Sequence, residues 1–263
     1  MARTTNNSNP SISAKNRTPI FIHWCPVSSS VLEEKNMKRK YYEAYDDRYR
    51  QIHERNLQWS GENASSIVGE IIRDFSISNH QKILEIGCGE GRDAFPLLRQ
   101  GFDLLATDVS QEAIRFCRER MPDHAERFQI LDCVSGRLNT AFDFIYAIAV
   151  VHMLVPDEDR NAFYSFIREH LKPEGIALIG TMGDGSFERQ TDIRTSFDIQ
   201  ERIHEQTGQT VQISSTSCRM VSFQTFNREL KQNGLVVIRE GFTAIEPDFP
   251  QMMFAVVKNL KKN

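Results

Sequence analysis

The fold of this chain is decided by the stretch Lys82-Ile83-Leu84-Glu85-Ile86-Gly87-Cys88-Gly89-Glu90-Gly91-Arg92-Asp93. A short apolar run with one acidic residue, Glu85, leads into three glycines at alternate positions, and a helix-compatible segment follows directly. This pattern is typical of a buried strand that enters a tight turn where a ligand touches the backbone. A side chain at Gly87, Gly89 or Gly91 would block that approach or forbid the turn.

Strand and helix patterns alternate on both sides of this stretch. We predict strands over 83–86, 102–106, 128–131, 142–150, 176–179, 235–238 and 252–257, and helices over 64–75, 93–100, 110–120, 157–171, 193–206 and 222–233. The sequence predicts helix caps at Ser110, Asp157 and Ser222. The helix over 157–171 is predicted to end at the loop Lys172-Pro173-Glu174-Gly175. Repeated βα units predict a Rossmann-like, doubly wound α/β fold with a mostly parallel seven-stranded sheet. The last two strands are close enough for a hairpin, so the last should run antiparallel.

The chain is predicted to contain an N-terminal extension and one larger domain. Residues 1–36 are rich in Asn, Ser, Thr and Pro, carry no acidic residue before Glu33 and show no hydrophobic periodicity, which favours a disordered extension. A transit peptide and an upstream extension before a working start at Met37 stay open as alternatives. Residues 37–263 form the predicted ligand-binding domain, and 183–219 exceed a normal connection, which predicts a cap insertion.

Composition narrows the class of protein. The chain has 263 residues and a net charge of -3, so its overall charge does not indicate a nucleic-acid partner. Its five cysteines show no C-x-x-C pair and no zinc-ligand spacing, which favours reduced thiols in a cytoplasmic protein and predicts no metal site. No apolar run is long enough to span a bilayer, so we expect no membrane partner. The oligomeric state stays open.

The strand ends indicate the kind of ligand. Asp108 ends the second strand about 20 residues beyond the glycine turn, where a carboxylate can accept both ribose hydroxyls. The dinucleotide fingerprint requires a small residue at the sixth position, which is Arg92 here, and no Lys-Ser/Thr pair follows the turn as a P-loop requires. Glu85 and Glu90 would repel a pyrophosphate. They suit a ligand that carries an amino group and a sulfonium.

Glu85-Ile86-Gly87-Cys88-Gly89-Glu90-Gly91 together with Asp108 resembles the class I S-adenosylmethionine-dependent methyltransferases. The resemblance covers about residues 45–257 and includes the fourth strand with His152 after it, the loop at 171–175 and the antiparallel last strand. More narrowly, Tyr45-Asp46-Asp47-Arg48-Tyr49 with Trp59, followed by Gly89-Glu90-Gly91-Arg92-Asp93, resembles the thiopurine and tellurite-resistance branch of small-molecule methyltransferases.

The resemblance implies S-adenosyl-L-methionine as the cofactor and assigns roles to matching positions. The three glycines would pass under its methionine part, bordered by Ala147 and Ile148, and Trp59 would cover the cofactor. Asp108 would bind the ribose hydroxyls, Val109 would lie against the adenine, and Asp132 would accept from the adenine amino group with Cys133 beside it. The predicted cofactor-binding residues are Trp59, Glu85, Gly87, Cys88, Gly89, Gly91, Asp108, Val109, Asp132, Cys133, Ala147 and Ile148.

Fewer residues indicate the acceptor side of the reaction. His152 is the candidate base for an oxygen or nitrogen acceptor, with a packing role as the equal alternative. The aromatic residues between 41 and 59 either pack or form a lid, and the 183–219 insertion should roof the acceptor pocket. Arg202 and Arg219 could meet an acidic substrate. His204 and Glu205 are interpreted as a solvated helix face.

We therefore predict a methyltransferase that acts on a small-molecule acceptor. The alternatives are a methyltransferase acting on RNA or protein, against which the absence of a basic stripe counts, and a regulator that binds S-adenosylmethionine without catalysis. The identity of the acceptor is beyond the sequence, since cap geometry determines it.

Overall fold

A single sheet with helices on both faces organises the computed structural model, which describes residues 39–245 and 249–260. The predicted extension 1–36 and the start at Met37 lie outside the described residues. The strands are β1 (Lys82–Ile86), β2 (Asp103–Asp108), β3 (Phe128–Ile130), β4 (Phe142–Ile148), β5 (Leu171–Met182), β6 (Arg189–Gln190), β7 (Ile199–Ile203), β8 (Thr210–Ser214), β9 (Arg219–Met220), β10 (Leu235–Ile245) and β11 (Phe249–Asn259). The α-helices are α1 (Ala44–His53), α2 (Ser66–Asp74), α3 (Ala94–Arg99), α4 (Gln111–Arg120), α5 (Asp157–His170) and α6 (Phe223–Gln232).

Seven strands form the main sheet in the order β10-β11-β5-β4-β1-β2-β3. The pairs among β1 to β5 are parallel, whereas β11 runs antiparallel to both β5 and β10. The predicted Rossmann-like sheet with an antiparallel last strand is confirmed. Strand β1 lies between β4 and β2, where the direction of chain winding reverses, so the glycine turn follows β1 at the point where such sheets bind ligands.

Apolar side chains cover both faces of the sheet. One core holds Ile67 and Ile71 from α2 and Ile114 from α4, and the other holds Phe163 from α5 and Phe226 from α6, all of them buried. This two-sided burial explains why β4 is almost wholly apolar in sequence. Within the described ranges, no helix is long and apolar enough to cross a membrane.

Two of the three predicted helix caps are present. The Ser110 hydroxyl accepts a hydrogen bond from the Ala113 amide, and the Ser222 hydroxyl accepts one from the Thr225 amide, so both serines satisfy an amide of the first turn. The predicted cap at Asp157 is wrong. Pro156 takes the cap position without a side-chain bond, and Asp157 is the first helical residue, where its charge still favours the helix dipole.

Two predicted elements are corrected by tertiary packing. The predicted helix over 193–206 is instead a short 3-10 turn followed by the hairpin of β7 and β8. Strand β8 buries Val211 and Ile213 against Ile52 of α1, so a contact distant in sequence overrides local helical propensity. The loop predicted to precede the fifth strand belongs to β5, which begins at Leu171 and pairs with β4 through a register shift.

A buried ion pair joins α5 to α6. The Arg160 side chain is 1% exposed, and its guanidinium donates to both carboxylate oxygens of Glu229 at 2.6–3.1 Å. Nη1 of the same side chain donates to the Val151 carbonyl at 2.7 Å. Glu229 therefore neutralises a cation that has no access to water.

We expect Glu229→Ala to lower the free energy of unfolding by about 3–5 kcal/mol, because it leaves the Arg160 charge buried without a partner. Urea unfolding followed by circular dichroism measures the change. Asp192→Asn, which removes the partner of the exposed Arg194, is the matched control and should leave the unfolding midpoint unchanged. Equal midpoints for the two variants would show that the pair does not stabilise the fold.

Candidate functional site

The turn after β1 packs so closely against its neighbours that Gly87 and Gly89 could not carry a larger side chain. Gly87 has φ +74°, and a Cβ there would lie 2.4 Å from the side chain of Val150. Gly89 has φ +52°, and a Cβ there would lie 2.6 Å from the Tyr49 hydroxyl. Both positions therefore require glycine, for conformation and for space. The sequence-based reason for these glycines is consistent with this geometry.

Two cavities flank the glycine turn, and Gly87, Tyr45, Tyr49 and Met153 line both of them. We call the cavity of about 320 Å³ that extends under the insertion the cap cavity. The cavity of about 70 Å³ at the ends of β1, β2 and β4 is the strand-end cavity. The aromatic residues of α1 therefore stand between two spaces that meet at the turn.

The cavities bring together most of the residues that the sequence predicts. The cap cavity is lined by the predicted residues Trp59, Glu85, Gly87, Cys88, Gly89, Ile148 and His152. The strand-end cavity is lined by the predicted residues Gly87, Asp108, Val109, Asp132 and Cys133. Gly91 and Ala147 line neither cavity: Gly91 packs beside the Phe95 ring, and Ala147 is fully buried in the core of the sheet. Their assignment to the cofactor stays a prediction.

Glu85 places a carboxylate at the inner end of the cap cavity. The residue is 3% exposed, and its Oε2 has no hydrogen-bond partner within the described part of the chain. Burial, assisted by the nearby Asp93 carboxylate, raises the pKa of Glu85 well above its usual range. A buried carboxylate oxygen without a partner is costly, and a cationic group in the cavity would offset that cost.

Asp108 is held in place by the backbone at the end of β2. Its two oxygens accept hydrogen bonds from the amides of Gly89 and Ser110, each at 2.8 Å. Burial raises the pKa of Asp108 to about 6, although these amide bonds act in the opposite direction. Each oxygen has a second lone pair, so the carboxylate can still accept two hydroxyl donors.

Asp132 already has a full set of donors. Its carboxylate accepts from Lys40 Nζ at 2.5 Å, the Tyr42 hydroxyl at 3.1 Å, the Ser135 hydroxyl at 2.7 Å and the Val134 amide at 2.9 Å. Burial works to raise the pKa of Asp132, but these donors outweigh it and the pKa lies below its ordinary value. An adenine amino group at this carboxylate would have to displace one of them, so that role stays a prediction.

Glu90 fastens the segment after α1 to the glycine turn. Its carboxylate accepts from the amides of Trp59 and Ser60 at 2.8 and 2.7 Å and from the Ser60 hydroxyl at 2.9 Å. His53 lies 2.8 Å from Glu90 and 2.7 Å from Glu112 of α4, which ties the same segment to a second helix. Glu90 lines the cap cavity, but these groups already bind its carboxylate, so the expectation that it suits a cationic ligand stays a prediction.

His152 lies in the wall of the cap cavity, 3% exposed, with no hydrogen-bond partner at Nδ1 within the described residues. Burial and, to a smaller extent, the charges of Arg160 and Arg48 lower the pKa of His152 to about 3. The imidazole is therefore neutral at physiological pH and can accept a hydrogen bond. Ala149, three residues earlier in the chain and in the same wall, has φ +61°, an uncommon conformation found often at functional sites.

Residues of the insertion line the cap cavity, and we call this part of its wall the roof. That the insertion 183–219 covers an acceptor pocket stays a prediction. His204 and Glu205 line this cavity, but the solvated helix face proposed for them is wrong. His204 is 2% exposed, at the end of β7, and its ring nitrogens contact the Gln58 carbonyl at 2.6 Å and the Thr207 hydroxyl at 2.9 Å. The buried ring joins the hairpin to the segment that carries Trp59.

Of the two arginines expected to meet a substrate, only Arg202 lines the cap cavity. Arg219 lies outside it and binds Asp157 at 2.6 Å and the Val155 carbonyl at 2.7 Å, with Glu229 at 3.6 Å. The charge of Arg219 is therefore balanced by carboxylates of the protein itself.

Sequence reasoning missed Arg48, a buried cation in the cap cavity. A signal was present: Tyr45, Tyr49 and Ile52 form one apolar face of α1, and Arg48 falls on that face. A charged residue on a buried stripe indicates a specific partner. The sequence analysis considered only the aromatic residues of this segment, as packing residues or as a lid.

A Rossmann-like sheet with this strand order, a glycine turn after β1 and Asp108 at the end of β2 together define a class I methyltransferase fold. Residues 84–177 match the family model described as a methyltransferase domain. The predicted resemblance to the class I S-adenosylmethionine-dependent methyltransferases is therefore confirmed over these residues.

Three individual proteins support this assignment. Over 118 residues the chain is 28% identical to a ubiquinone biosynthesis O-methyltransferase of Rickettsia canadensis, a match that covers 44% of this chain and 49% of that protein. Over 119 residues it is 26% identical to a probable S-adenosyl-L-methionine-dependent methyltransferase, TehB, of Haemophilus influenzae, covering 44% and 41%. The chain thus spans about half the length of the curated relatives it matches, and the second match supports the tellurite-resistance branch.

The third is a solved structure. The 1,6-didemethyltoxoflavin-N1-methyltransferase of Burkholderia thailandensis superposes with a TM-score of 0.60 over 95% of this chain and 94% of that one, at 14% identity. At that identity the likeness shows a shared fold.

We expect Glu90→Ala to release the segment around Trp59 without unfolding the sheet, because the carboxylate binds two of its amides. Amide hydrogen exchange at Trp59 and Ser60 should become about 10-fold faster or more, as each hydrogen bond contributes on the order of 1 kcal/mol or more. Glu62→Ala, an exposed acid in the same segment, is the control and should leave exchange unchanged. Unchanged exchange in Glu90→Ala would mean that other contacts hold the segment.

Proposed function

We propose that this protein transfers a methyl group from S-adenosylmethionine to a small-molecule acceptor. The observation that carries the proposal is the continuity of the site: the glycine turn, His152 and the roof of the insertion line one cavity of about 320 Å³. The volume lies within the range of small-molecule sites. A cavity roofed by a hairpin favours a small acceptor over an RNA or protein chain.

The residues fit this cofactor. The partnerless oxygen of Glu85 suits the methionine ammonium group, and the glycine turn leaves its backbone accessible at Gly87. Asp108 retains acceptor capacity for two ribose hydroxyls. When bound, the cofactor supplies an activated methyl group on a sulfonium. The protein then has to position the acceptor and exclude water, which can supply most of the rate of such a transfer.

His152 is proposed to accept the proton of an N–H or O–H acceptor. With a pKa of about 3 it is a weak base towards the free acceptor. An acceptor atom becomes much more acidic as it gains the methyl group, however, so a weak base can take the proton late in the reaction. The neutral ring also avoids repelling a positively charged cofactor.

The relatives agree with a small acceptor. One is named for O-methylation in ubiquinone biosynthesis, and the Burkholderia enzyme is described with 1,6-didemethyltoxoflavin and S-adenosylhomocysteine bound. We also propose a cytoplasmic location, which is supported by Cys88, Cys117, Cys133 and Cys218 being free thiols.

We expect isothermal titration calorimetry to detect binding of S-adenosylhomocysteine, and Asp108→Asn to weaken it about 10-fold or more, because an amide offers a single acceptor oxygen to two hydroxyls. Asp103→Asn, at the other end of β2, is the control and should bind like the wild type. Absence of binding to the wild type, or equal affinity in Asp108→Asn, would refute the proposed function.

The same titration should depend on pH through Asp108. Only the ionised carboxylate offers all its lone pairs, so affinity should fall as pH drops through about 6, roughly 10-fold by pH 5. The free protein should show the opposite sign for this group: because burial raises the pKa of Asp108, the folded state binds more protons than the unfolded state between about 6 and about 4, and its contribution to stability grows as pH falls. In Asp108→Asn both dependences should disappear.

A screen of a metabolite extract with methyl-labelled cofactor should yield an acceptor. With that acceptor, His152→Gln should lower kcat by about 10²-fold or more while KM changes little, since proton removal is concentrated in the transition state. His80→Gln, an exposed histidine remote from the cavity, is the control. Equal kcat for wild type and His152→Gln would assign His152 to packing. Failure of every acceptor despite cofactor binding would favour a regulator that does not catalyse.

A further inference from the structure

Arg48 is a buried cation without an acidic partner. The residue is 4% exposed, and no carboxylate within the described residues lies within ion-pair distance of it. Burial lowers the pKa of Arg48, and the charge of Arg202 adds to this effect. Buried guanidinium groups are normally paired, because an uncompensated charge in the interior is costly. The fold therefore stabilises this charge through neutral groups and not through an acidic partner.

The surroundings of Arg48 hold the guanidinium in one orientation. It lies over the rings of Tyr45 and Trp59, 5.1 and 4.7 Å from their centres. Its Nε and Nη2 donate to the carbonyls of Ser214 and Ser215 at 2.7–3.1 Å. No hydrogen bond from Nη1 is found among residues 39–245 and 249–260. One edge of the group is thus fixed by the hairpin and the aromatic rings, and Arg48 lines the cap cavity.

Arg202 brings a second cation to the same cavity from strand β7. Its side chain is exposed to solvent and, in the described ranges, has no ion-pair or hydrogen-bond partner, unlike that of Arg219. The other charged groups in the wall are Glu85, Glu90, Arg92, Asp93 and Glu205. Glu90 is occupied by Trp59 and Ser60, and Asp93 by the amide and hydroxyl of Ser65 at 2.6 and 2.8 Å. Glu85 lies by the glycine turn, on β1, whereas Arg202 belongs to the hairpin of the insertion and Arg48, on α1, binds that hairpin.

We propose that the acceptor carries an anionic group, such as a carboxylate or a phosphate, and that Arg48 and Arg202 bind it beneath the hairpin. The inference rests on the proposed function and deepens it by naming the class of acceptor. A planar guanidinium fixed along one edge presents its remaining N–H groups to a two-oxygen anion, and such charge-assisted bonds are about twice as strong as neutral ones. The anion would supply the opposite charge that buried Arg48 does not find in the protein, and the exposed Arg202 would add a second cation.

Calorimetric titration with two isosteric probes tests the proposal. The protein is first saturated with S-adenosylhomocysteine and then titrated with 3-hydroxybenzoate and with 3-hydroxybenzamide, which differ in charge and little in shape. In the wild type the acid should bind about 10-fold or more tightly than the amide. Arg202→Gln and Arg48→Gln should each reduce this preference to about 3-fold or less. Arg194→Gln, an exposed arginine of the same insertion, should keep it.

The initial titration with S-adenosylhomocysteine distinguishes the two anions that Arg48 could bind, that of the acceptor and the cofactor's own carboxylate. If Arg48→Gln binds S-adenosylhomocysteine with an affinity within about 3-fold of the wild type, Arg48 serves the acceptor. If Arg48→Gln loses that affinity and Arg48→Lys restores it, Arg48 binds the cofactor's own carboxylate and the assignment is overturned. If the wild type binds S-adenosylhomocysteine but binds the acid and the amide with equal affinity, the anionic acceptor is rejected and the proposed methyltransferase function is not. Absence of S-adenosylhomocysteine binding would reject the methyltransferase function and this inference with it.

Discussion

The amides of the glycine turn bind the end of strand β2, and the geometry of the site depends on this attachment. The Thr107 carbonyl accepts hydrogen bonds from the amides of Gly87 and Cys88 at 2.7 and 2.9 Å, and the Asp108 carboxylate accepts one from Gly89 at 2.8 Å. The turn that would carry one end of the cofactor and the carboxylate that would bind its ribose are therefore one hydrogen-bonded unit. Because the parallel pairing of β1 and β2 sets their ends side by side, the unit requires the whole sheet.

The N-terminal helix α1 closes this unit from outside. Tyr49 reaches Gly89, Glu90 binds the segment after α1, and Arg48 binds the hairpin of the insertion, so two regions distant in sequence meet over the turn. The strand-end cavity measures about 70 Å³ with these aromatic residues in place.

The cap cavity has opposite electrostatic character at its two ends. Glu85 provides a carboxylate beside the glycine turn, while Arg48 and Arg202 provide guanidinium groups beneath the hairpin. Charges interact more strongly where they are buried, as at Glu85 and Arg48, than where they are exposed, as at Arg202. Glu85 and Arg48 would therefore contribute most to orienting a bound pair of molecules, with a cationic group at the turn and an anionic group near Arg48. His152 carries no charge at neutral pH and interferes with neither end.

The sequence by itself determined the sheet, the glycine turn and Asp108, because strand burial, turn conformation and helix capping are local properties that leave a pattern in neighbouring residues. It also identified Trp59, His152 and Arg202 as residues of the site, through the resemblance and their positions. The tertiary structure decided the rest. Residues 199–203 became a strand because Val211 and Ile213 found an apolar partner in α1, and Glu90 and Arg219 were taken up by contacts more than 30 residues away in the chain. The role proposed for Arg48 could be inferred only from the folded structure. Whether a charge is buried, and whether it has a partner, depends on every element packed around it.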